Sequence, residues 1–145
     1  MTIDLEDFYP EGKRILFDIK DWLYEGFVLR EKDFRALVSE FNWSQYQGCY
    51  VALTCSTDAI VPGWAYMLLS IQLEPFAKKI IIGDLGNLET AIYQEIINDL
   101  DILEYQSKPI IIKGCSNKPV PQNAYILLAN KLRPVAKSIM YGEAC

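Results

Sequence analysis

The most informative absence in this sequence is histidine. Its 145 residues contain no His, which excludes the commonest general base, the usual catalytic triads and every zinc site that needs imidazole. Any acid–base chemistry has to come from Asp, Glu, Lys, Tyr or a perturbed Cys. The sequence alone therefore leaves open whether the protein is an enzyme.

A long apolar run and a secretion signal are also missing. The longest apolar stretch, residues 59–73, is interrupted by Pro62, Gly63, Ser70 and Gln72 and is too short to span a bilayer. The N-terminal segment MTIDLEDFYPEGKR is acidic and lacks the basic-then-apolar order of a leader peptide. Four cysteines without an export signal favour reduced thiols. We expect a soluble cytoplasmic protein with no membrane partner.

Positive charge is too thinly spread for a nucleic-acid-binding surface. The net charge is −5, although the chain from Tyr105 onward carries six basic residues and one acidic residue, Glu143. Binding to nucleic acid usually needs a denser basic face than this. We therefore expect no nucleic-acid partner, and we interpret the basic end of the chain as a solvated surface.

What the sequence does contain is a segment that occurs twice. The match predicts one supersecondary unit built twice, with one residue dropped after the Cys-Ser pair. The second copy also ends on an acidic residue, Glu143 in place of Asp84. The matching pairs are Cys55-Ser56 with Cys115-Ser116, Val61-Pro62 with Val120-Pro121, Ala65-Tyr66 with Ala124-Tyr125, Leu68-Leu69 with Leu127-Leu128, Pro75 with Pro134, and Gly83 with Gly142.

Helical and strand patterns alternate along the chain and predict an α/β fold. Apolar runs without polar alternation predict buried strands at 50–54, 77–82, 110–112 and 135–141, as in a mostly parallel sheet with helices on both faces. Helices are predicted to begin near Asp33, Pro62, Asn87 and Pro121, with Asn87 as a cap. The sheet is thus built from a duplicated αβαβ unit.

We assign one domain, 1–145, divided into an N-terminal extension (1–30), a first repeat (31–84) and a second repeat (90–145). Half of the residues are hydrophobic, which suits a chain of this length with one core. Within the extension, 14–17 is predicted as an edge strand, and Asp18 as the cap of a short helix that Gly26 ends.

The two Cys-Ser pairs are the candidate functional site. Each follows a predicted strand and precedes a helix N-terminus, and ligands of parallel sheets bind beyond the carboxyl ends of the strands. The field of a helix N-terminus favours an anion and lowers the pKa of a thiol. Lys113 and Lys118 make Cys115 the better thiolate. The predicted ligand-binding residues are Cys55, Ser56, Asp58, Tyr66, Cys115, Ser116, Lys118 and Tyr125.

Three of the four cysteines form a candidate metal site. If Cys55, Cys115 and Cys145 converge, their thiolates could hold zinc or an iron–sulfur cluster with one open position, and two of them could form a redox pair. No CxxC spacing supports the metal. The alternative is that each Cys is a small side chain that suits a tight strand end.

The first duplicated helix suggests a second class of function. It carries Gly63, Trp64, Met67, Ser70 and Ile71 on the face that is polar in the second copy, and a helix that is apolar nearly all round is buried on both sides. Either the N-terminal segment or a second subunit covers it. The alternative to a small-molecule or metal-binding protein is therefore a non-catalytic homodimeric interaction module.

Five segments carry a resemblance to a known family. With these segments the chain resembles an uncharacterised bacterial family of unknown function, over nearly its whole length. The resemblance implies a small bacterial cytoplasmic protein and brings no activity, substrate or cofactor with it. The segments are Phe17-Asp18-Ile19-Lys20-Asp21-Trp22, Trp43-Ser44-Gln45-Tyr46-Gln47, Leu53-Thr54-Cys55-Ser56, Ala59-Ile60-Val61-Pro62 and Arg133-Pro134-Val135-Ala136-Lys137-Ser138.

Overall fold

The computed structural model describes residues 1–114 and 117–142. Over these residues the chain forms six strands and four α-helices, with short 3-10 turns between several of them. No helix of the described residues combines the length and the apolar content that crossing a membrane requires. In chain order the elements are β1 (Thr2–Asp4), β2 (Arg14–Asp18), α1 (Glu31–Glu40), β3 (Tyr50–Thr54), α2 (Gly63–Leu73), β4 (Lys79–Ile82), α3 (Leu85–Asn98), β5 (Pro109–Lys113), α4 (Gln122–Leu132) and β6 (Ser138–Tyr141).

The chain divides into two compact units. Unit 2 is continuous and runs from Gly12 to Leu88, whereas unit 1 combines Met1–Glu11 with the chain from Glu89 onward. Unit 2 is therefore inserted between the first strand of unit 1 and the rest of unit 1. Over the described residues each unit contains the same series of elements: a strand, a 3-10 turn, a helix, a second 3-10 turn, a strand, a helix and a strand.

Unit 2 contains a three-stranded parallel sheet in the order β2-β3-β4. Its central strand is buried along most of its length, as expected for a parallel strand covered by helices. The core combines Phe17, Val51 and Leu53 of the sheet with side chains of α1 and α2. An aromatic cluster fills the end of this core, formed by Phe17, Trp22, Phe34, Phe41, Trp43 and Tyr46.

Unit 1 contains a second three-stranded parallel sheet, in the order β1-β5-β6. Ile3, Ile110 and Ile112 enter its core together with residues of α3 and α4. The hydroxyl of the buried Tyr93 donates a hydrogen bond to the carbonyl of Leu5 (2.9 Å), which fastens α3 to the 3-10 turn after β1. The N-terminal segment is thus a structural part of this unit.

The predicted α/β class with parallel strands is confirmed. The strands form two separate three-stranded sheets, and the segment assigned to an extension supplies an edge strand to each, β1 and β2. The prediction of a single domain with its internal boundaries stays a prediction. Asp18 is a cap, as predicted, since its side chain accepts from the N–H of Lys20. The element that it caps is a 3-10 turn, Ile19–Trp22, in place of the predicted helix that Gly26 ends.

The cap predicted for α3 is wrong in one detail. Asn87 lies inside the first turn of α3, and the cap is Asp84. The Asp84 carboxylate accepts from the N–H of Asn87 (2.7 Å), and the Asn87 side chain accepts from the N–H of Asp84 (2.9 Å). This reciprocal pair is a capping box, in which the residue three positions into the helix completes the cap.

Candidate functional site

The loop after β3 is held by an acidic side chain from the neighbouring strand. Asp18, the last residue of β2, accepts a hydrogen bond from the backbone N–H of Ser56 (3.1 Å) as well as from Lys20. Burial acts to raise the pKa of Asp18, but hydrogen bonds from the Ser56 hydroxyl and from the two N–H groups, with the charge of Lys20, bring it below its usual value. Asp18 is thus ionised and anchors the predicted site residue Ser56.

The Cys55 thiol belongs to a short hydrogen-bonded chain. The Thr57 hydroxyl donates to the carbonyl of Gly26 (2.6 Å), and Cys55 Sγ lies 3.4 Å from Thr57 Oγ1. A hydroxyl has a single proton to donate. Because the Thr57 hydroxyl already donates its hydrogen bond to the Gly26 carbonyl, the hydrogen bond between Cys55 and Thr57 has the thiol as donor and the Thr57 oxygen as acceptor. The Cys55 thiol is thus part of a hydrogen-bonded chain that runs to the backbone of Gly26.

Tyr66 lies near Cys55 in the first turn of α2. Burial raises the pKa of Tyr66, and the neighbouring Cys55 raises it further. Its ring, with Ser70 of the same helix and three isoleucines of β4, lines a cavity of about 370 Å³. Tyr66 is therefore a neutral phenol at the carboxyl end of the sheet, where it can donate a hydrogen bond but does not act as a base.

A second cavity of unit 2 lies beside the same loop. It has a volume of about 610 Å³ and is open to solvent on one side. Two segments form its walls, and the hydrogen bond between Thr57 and Gly26 joins them. We call it the loop pocket; its lining residues are Phe27, Val28, Leu29, Glu31, Asp58, Ala59, Ile60, Pro62 and Trp64.

Trp64 forms the aromatic wall of the loop pocket and is held in place by α1. Phe34 meets its ring edge to face, with centroids 5.8 Å apart. The Arg35 guanidinium lies 4.9 Å from the centroid of the Trp64 ring and pairs with the Glu31 carboxylate at 3.3 Å. Among the described residues, the carboxylate of the exposed Asp58 has no such partner.

Unit 1 fastens its corresponding loop with a different acidic residue. Glu6, in the 3-10 turn after β1, accepts from the backbone N–H groups of Asn117 (2.9 Å) and Lys118 (3.2 Å). The side chain of Lys118 points elsewhere, with its ammonium 5.5 Å from the centroid of the Tyr9 ring. Two adjacent N–H groups aimed at one point form an anion site, and Glu6 occupies it.

Tyr125, the counterpart of Tyr66, closes over the end of β5. Its hydroxyl donates to the carbonyl of Gly114 (3.4 Å), and its ring lies 5.7 Å from that of Tyr141. A Cβ atom on Gly114 would overlap the Tyr125 hydroxyl. Burial raises the pKa of Tyr125, and the charge and hydrogen bond of Tyr141, followed by the charges of Asp4 and Glu6, raise it further. Tyr125 is therefore also a neutral donor.

The strand registers change the pairing of the two Cys-Ser loops. Asp18 lies opposite Thr54 in one sheet, and Asp4 lies opposite Lys113 in the other. Thr54 and Lys113 therefore hold equivalent positions in the two sheets. The same spacing along the chain separates Leu53 from Ile112, and it also separates their strand partners, Ile82 and Tyr141. By this spacing the position equivalent to Cys55 is Gly114. Cys115 follows one residue later, so the sequence alignment that paired the two cysteines is one residue out of register.

The predicted site residues therefore divide into three groups. Cys55, Ser56 and Tyr66 lie at the carboxyl end of the unit 2 sheet, and Asp58 lines the loop pocket. Lys118 and Tyr125 lie at the corresponding end of unit 1, each with the partners described above. Cys115, Ser116 and Cys145 lie outside the described residues.

The metal site of Cys55, Cys115 and Cys145 consequently stays a prediction. Within residues 1–114 and 117–142, no group of three or more Cys, Asp or Glu side chains is arranged to hold a metal ion. The described neighbours of Cys55, a threonine hydroxyl and a phenol, are poor ligands for zinc, which prefers thiolate, imidazole and carboxylate.

Comparison with known families gives a match over the full sequence. The family model described as protein of unknown function DUF2480 covers residues 1–145. The chain belongs to this family. Searches of curated proteins and of solved structures gave no significant match. Membership of the DUF2480 family confirms the resemblance to an uncharacterised family and assigns no activity to any residue.

Sequence reasoning missed several residues of this region. Glu6 gave no sign of its role, because its partners in the loop after β5 are distant in the chain. Asp18 was predicted as a cap, and only the strand register shows that it also reaches Ser56. Phe27 and Trp64 line the loop pocket as isolated aromatics, and no periodic pattern distinguishes them from core residues.

Proposed function

We propose that the protein binds a small organic molecule in the loop pocket of unit 2. One observation carries the proposal: a cavity of about 610 Å³ lies against the loop that leaves the carboxyl end of β3. Parallel α/β sheets bind their ligands at this end of the strands. The cavity size and its predominantly apolar lining are typical of sites for small molecules.

The residues around the loop pocket support binding more than catalysis. Asp18 and Thr57 are committed to backbone partners, and Tyr66 has a raised pKa. The Cys55 thiol is hydrogen-bonded to the Thr57 hydroxyl. None of these groups is arranged as an acid–base pair or as an activated nucleophile. These contacts support the proposal of a binding site in this unit.

A fragment screen monitored by amide NMR of the full chain tests the proposal. Fragments that bind should shift the amides of residues 27–31 and 58–64 together with the Trp64 indole. Ile60→Gln, at a pocket residue that is 89% exposed, should weaken these fragments, because it removes apolar contact surface without adding charge. Ile126→Gln is the matched control, because Ile126 is also exposed but lies on α4 outside the pocket. Fragments that shift only amides elsewhere would contradict the assignment.

A second function has an observation of its own. On α2, Met67 is 60% exposed and Ile71 is 57% exposed, although α1 supplies the cover of Trp64. At the matching positions α4 carries Ile126 and the polar Asn130. We propose, as the alternative, a homodimeric interaction module that uses this face of α2, since exposed apolar patches mark interaction sites.

Sedimentation equilibrium separates this alternative from a monomeric binding protein. If the α2 face joins two copies, the apparent mass at micromolar concentration should be that of a dimer. Met67→Glu with Ile71→Asn should restore the monomer. A wild-type chain that is strictly monomeric under these conditions excludes the alternative and leaves the loop pocket unaffected.

The thiols support a reducing compartment. Cys49 and Cys55 are both free in the structure, one buried and one half-buried. Free thiols of this kind are typical of cytosolic proteins. A cytoplasmic location is therefore part of the proposal. Metal analysis of protein purified without chelator, compared with Cys55→Ser, tests the remaining metal prediction: absence of bound zinc or iron would remove it.

A further inference from the structure

Charge in the loop pocket is of one sign. Seven apolar side chains and two carboxylates, Glu31 and Asp58, line it, and no basic side chain does. An anionic ligand would bring like charges together, which is unfavourable even in a pocket that is open to solvent. A neutral apolar ligand would cover the apolar lining but would give the two carboxylates no partner in place of water. The lining therefore favours a ligand that carries positive charge.

The two carboxylates are not equivalent. Glu31 already has a cation, since the Arg35 guanidinium lies 3.3 Å from its carboxylate oxygen and also covers the Trp64 ring at 4.9 Å. Asp58 has no such partner among the described residues. The Arg35 contact also shows that Trp64 accepts a cation near its ring, as indoles do in sites for ammonium ligands.

The apolar residues of the lining indicate the chemistry of the uncharged part of the ligand. Phe27 is 59% exposed and Ile60 is 89% exposed, so both present large apolar surfaces to solvent at the pocket. Such surfaces gain most from a ligand with its own apolar or aromatic part. The volume of about 610 Å³ accommodates a molecule larger than a simple alkylamine.

From this lining we infer that the ligand of the loop pocket is an organic ammonium ion with an apolar or aromatic body. Its cationic head pairs with the Asp58 carboxylate, and its body contacts Phe27, Ile60 and Trp64. This inference rests on the proposed function, because it names the ligand class of the same pocket.

Three probes with one carbon skeleton test the ligand class. 4-Phenylbutylamine, 4-phenylbutanol and 4-phenylbutyrate place an ammonium, a hydroxyl and a carboxylate on the same apolar body. Each is titrated into the full chain near pH 7, where the amine is protonated, and binding is followed by the amides of residues 27–31 and 58–64. We expect the amine to bind about tenfold more tightly than the alcohol, because a charge-assisted bond to Asp58 is roughly twice as strong as a neutral one.

Two variants show which carboxylate causes the preference for the amine over the alcohol. Asp58→Asn should remove this preference, so that the amine and the alcohol bind equally. Glu31→Gln changes a carboxylate that is already paired with Arg35, so most of the preference should remain. Both side chains are exposed, and the amide spectrum of each free variant shows whether the fold is intact.

The outcomes distinguish the ligand class from the pocket itself. If the alcohol or the carboxylate binds in the pocket as tightly as the amine, the ligand class is wrong and the proposed function stands. An amine preference that survives Asp58→Asn also overturns the inference. If none of the three probes shifts the pocket amides, both the ligand class and the small-molecule function of this pocket are overturned.

Discussion

Asp18 connects the first two strands of unit 2 through its carboxylate. The same oxygen accepts from the N–H of Lys20 in the turn after β2 and from the N–H of Ser56 in the loop after β3. Capping of a turn and fixing of a neighbouring loop are usually performed by separate side chains. Here one charge does both, so a change at Asp18 affects the loop on which the pocket depends.

We predict that Asp18→Ala lowers the free energy of unfolding by about 1–2 kcal/mol near pH 7, as for other caps. Asp18→Asn should cost less, because an amide oxygen still accepts hydrogen bonds. Since the pKa of Asp18 is lowered from 3.8, the ionised carboxylate stabilises the fold above that pH, and this contribution is lost as the pH falls below it.

Urea denaturation measures this effect. The difference between wild type and Asp18→Asn should shrink as the pH is lowered through 3.8. Asp21→Asn is the control, since Asp21 is an exposed carboxylate in the same turn. A difference that is independent of pH would show that the charge of Asp18 contributes nothing.

Gly114 is required by the tyrosine that closes over it. We predict that Gly114→Ala destabilises the protein by about 1–3 kcal/mol, because the added Cβ overlaps the Tyr125 hydroxyl and overpacking has this cost. Tyr125→Phe removes the hydroxyl and should make Gly114→Ala nearly neutral. A double-mutant cycle by urea denaturation measures the coupling; additive effects of the two changes would contradict the overlap.

At the scale of elements, one 3-10 turn precedes the central strand of each sheet, and each of these two turns buries one aromatic side chain, Trp43 or Tyr105. The turn Leu103–Tyr105 leads to β5, and Trp43–Tyr46 leads to β3. In the second of these, Asn42 caps the turn and the Trp43 indole donates to the carbonyl of Val38 (2.9 Å). These turns set the point at which the chain enters the sheet.

We predict that Tyr105 makes the protein sensitive to alkali. Burial raises the pKa of Tyr105 from 10.0 to about 12, with further contributions from the hydrogen bond and the charge of Glu104. The folded state therefore holds the phenol proton more tightly than the unfolded state. The resulting stability is complete below pH 10 and is lost as the pH rises from 10 to about 12.

Denaturation of wild type and Tyr105→Phe across this range tests the prediction. Wild type should lose stability relative to Tyr105→Phe as the pH passes 10. The tyrosinate absorbance that is missing from the variant should titrate near pH 12. Glu104→Gln, which removes the negative charge but keeps a polar side chain, should shift this titration to lower pH.

The elements that sequence patterns predicted best are those with long periodic segments. β3, α2, α4 and β6 begin and end within a few residues of the expected positions, because apolar runs and helix-starting prolines mark them. β1 has only three residues and was not predicted. A sequence similarity could have predicted β1. Asp4-Leu5-Glu6-Asp7-Phe8 resembles Asp18-Ile19-Lys20-Asp21-Trp22, and the two segments begin at the ends of the corresponding strands β1 and β2.

The division into two sheets could not be predicted, and neither could the register of the cysteines. The isoleucine runs of β4 and β5 are chemically alike, so composition does not decide which strands pair. Cys55 and Cys115 were aligned because identical Cys-Ser dipeptides outweigh a constant chain spacing in a sequence comparison. The strand registers give a constant spacing between equivalent residues of the two units, and by this spacing Gly114 is the equivalent of Cys55.

At the scale of the whole molecule, the two units differ in chain continuity. Unit 2 contains all of its strands within residues 12–88 and has its own core. Unit 1 depends on β1, which the whole of unit 2 separates from the rest of unit 1 along the chain. Independent folding is therefore expected of one unit and not of the other.

We predict that a fragment of residues 12–88 folds alone, whereas residues 89–145 do not. The second fragment lacks β1 and with it Ile3 and Leu5 of the core. Circular dichroism and the dispersion of amide NMR signals measure folding of each fragment. Addition of a peptide of residues 1–11 should restore structure to residues 89–145. A folded 89–145 fragment without the peptide would contradict the role given to β1.

The insertion also fixes an order of events during translation. β1 leaves the ribosome first, yet its hydrogen-bonding partner β5 is made only after the entire inserted unit has emerged. At about 5–20 residues per second, the opening strand waits for several seconds with its backbone unpaired. Acidic residues at and just after its end, Asp4, Glu6 and Asp7, are of the charged kind that disfavours pairing of an exposed strand with other chains.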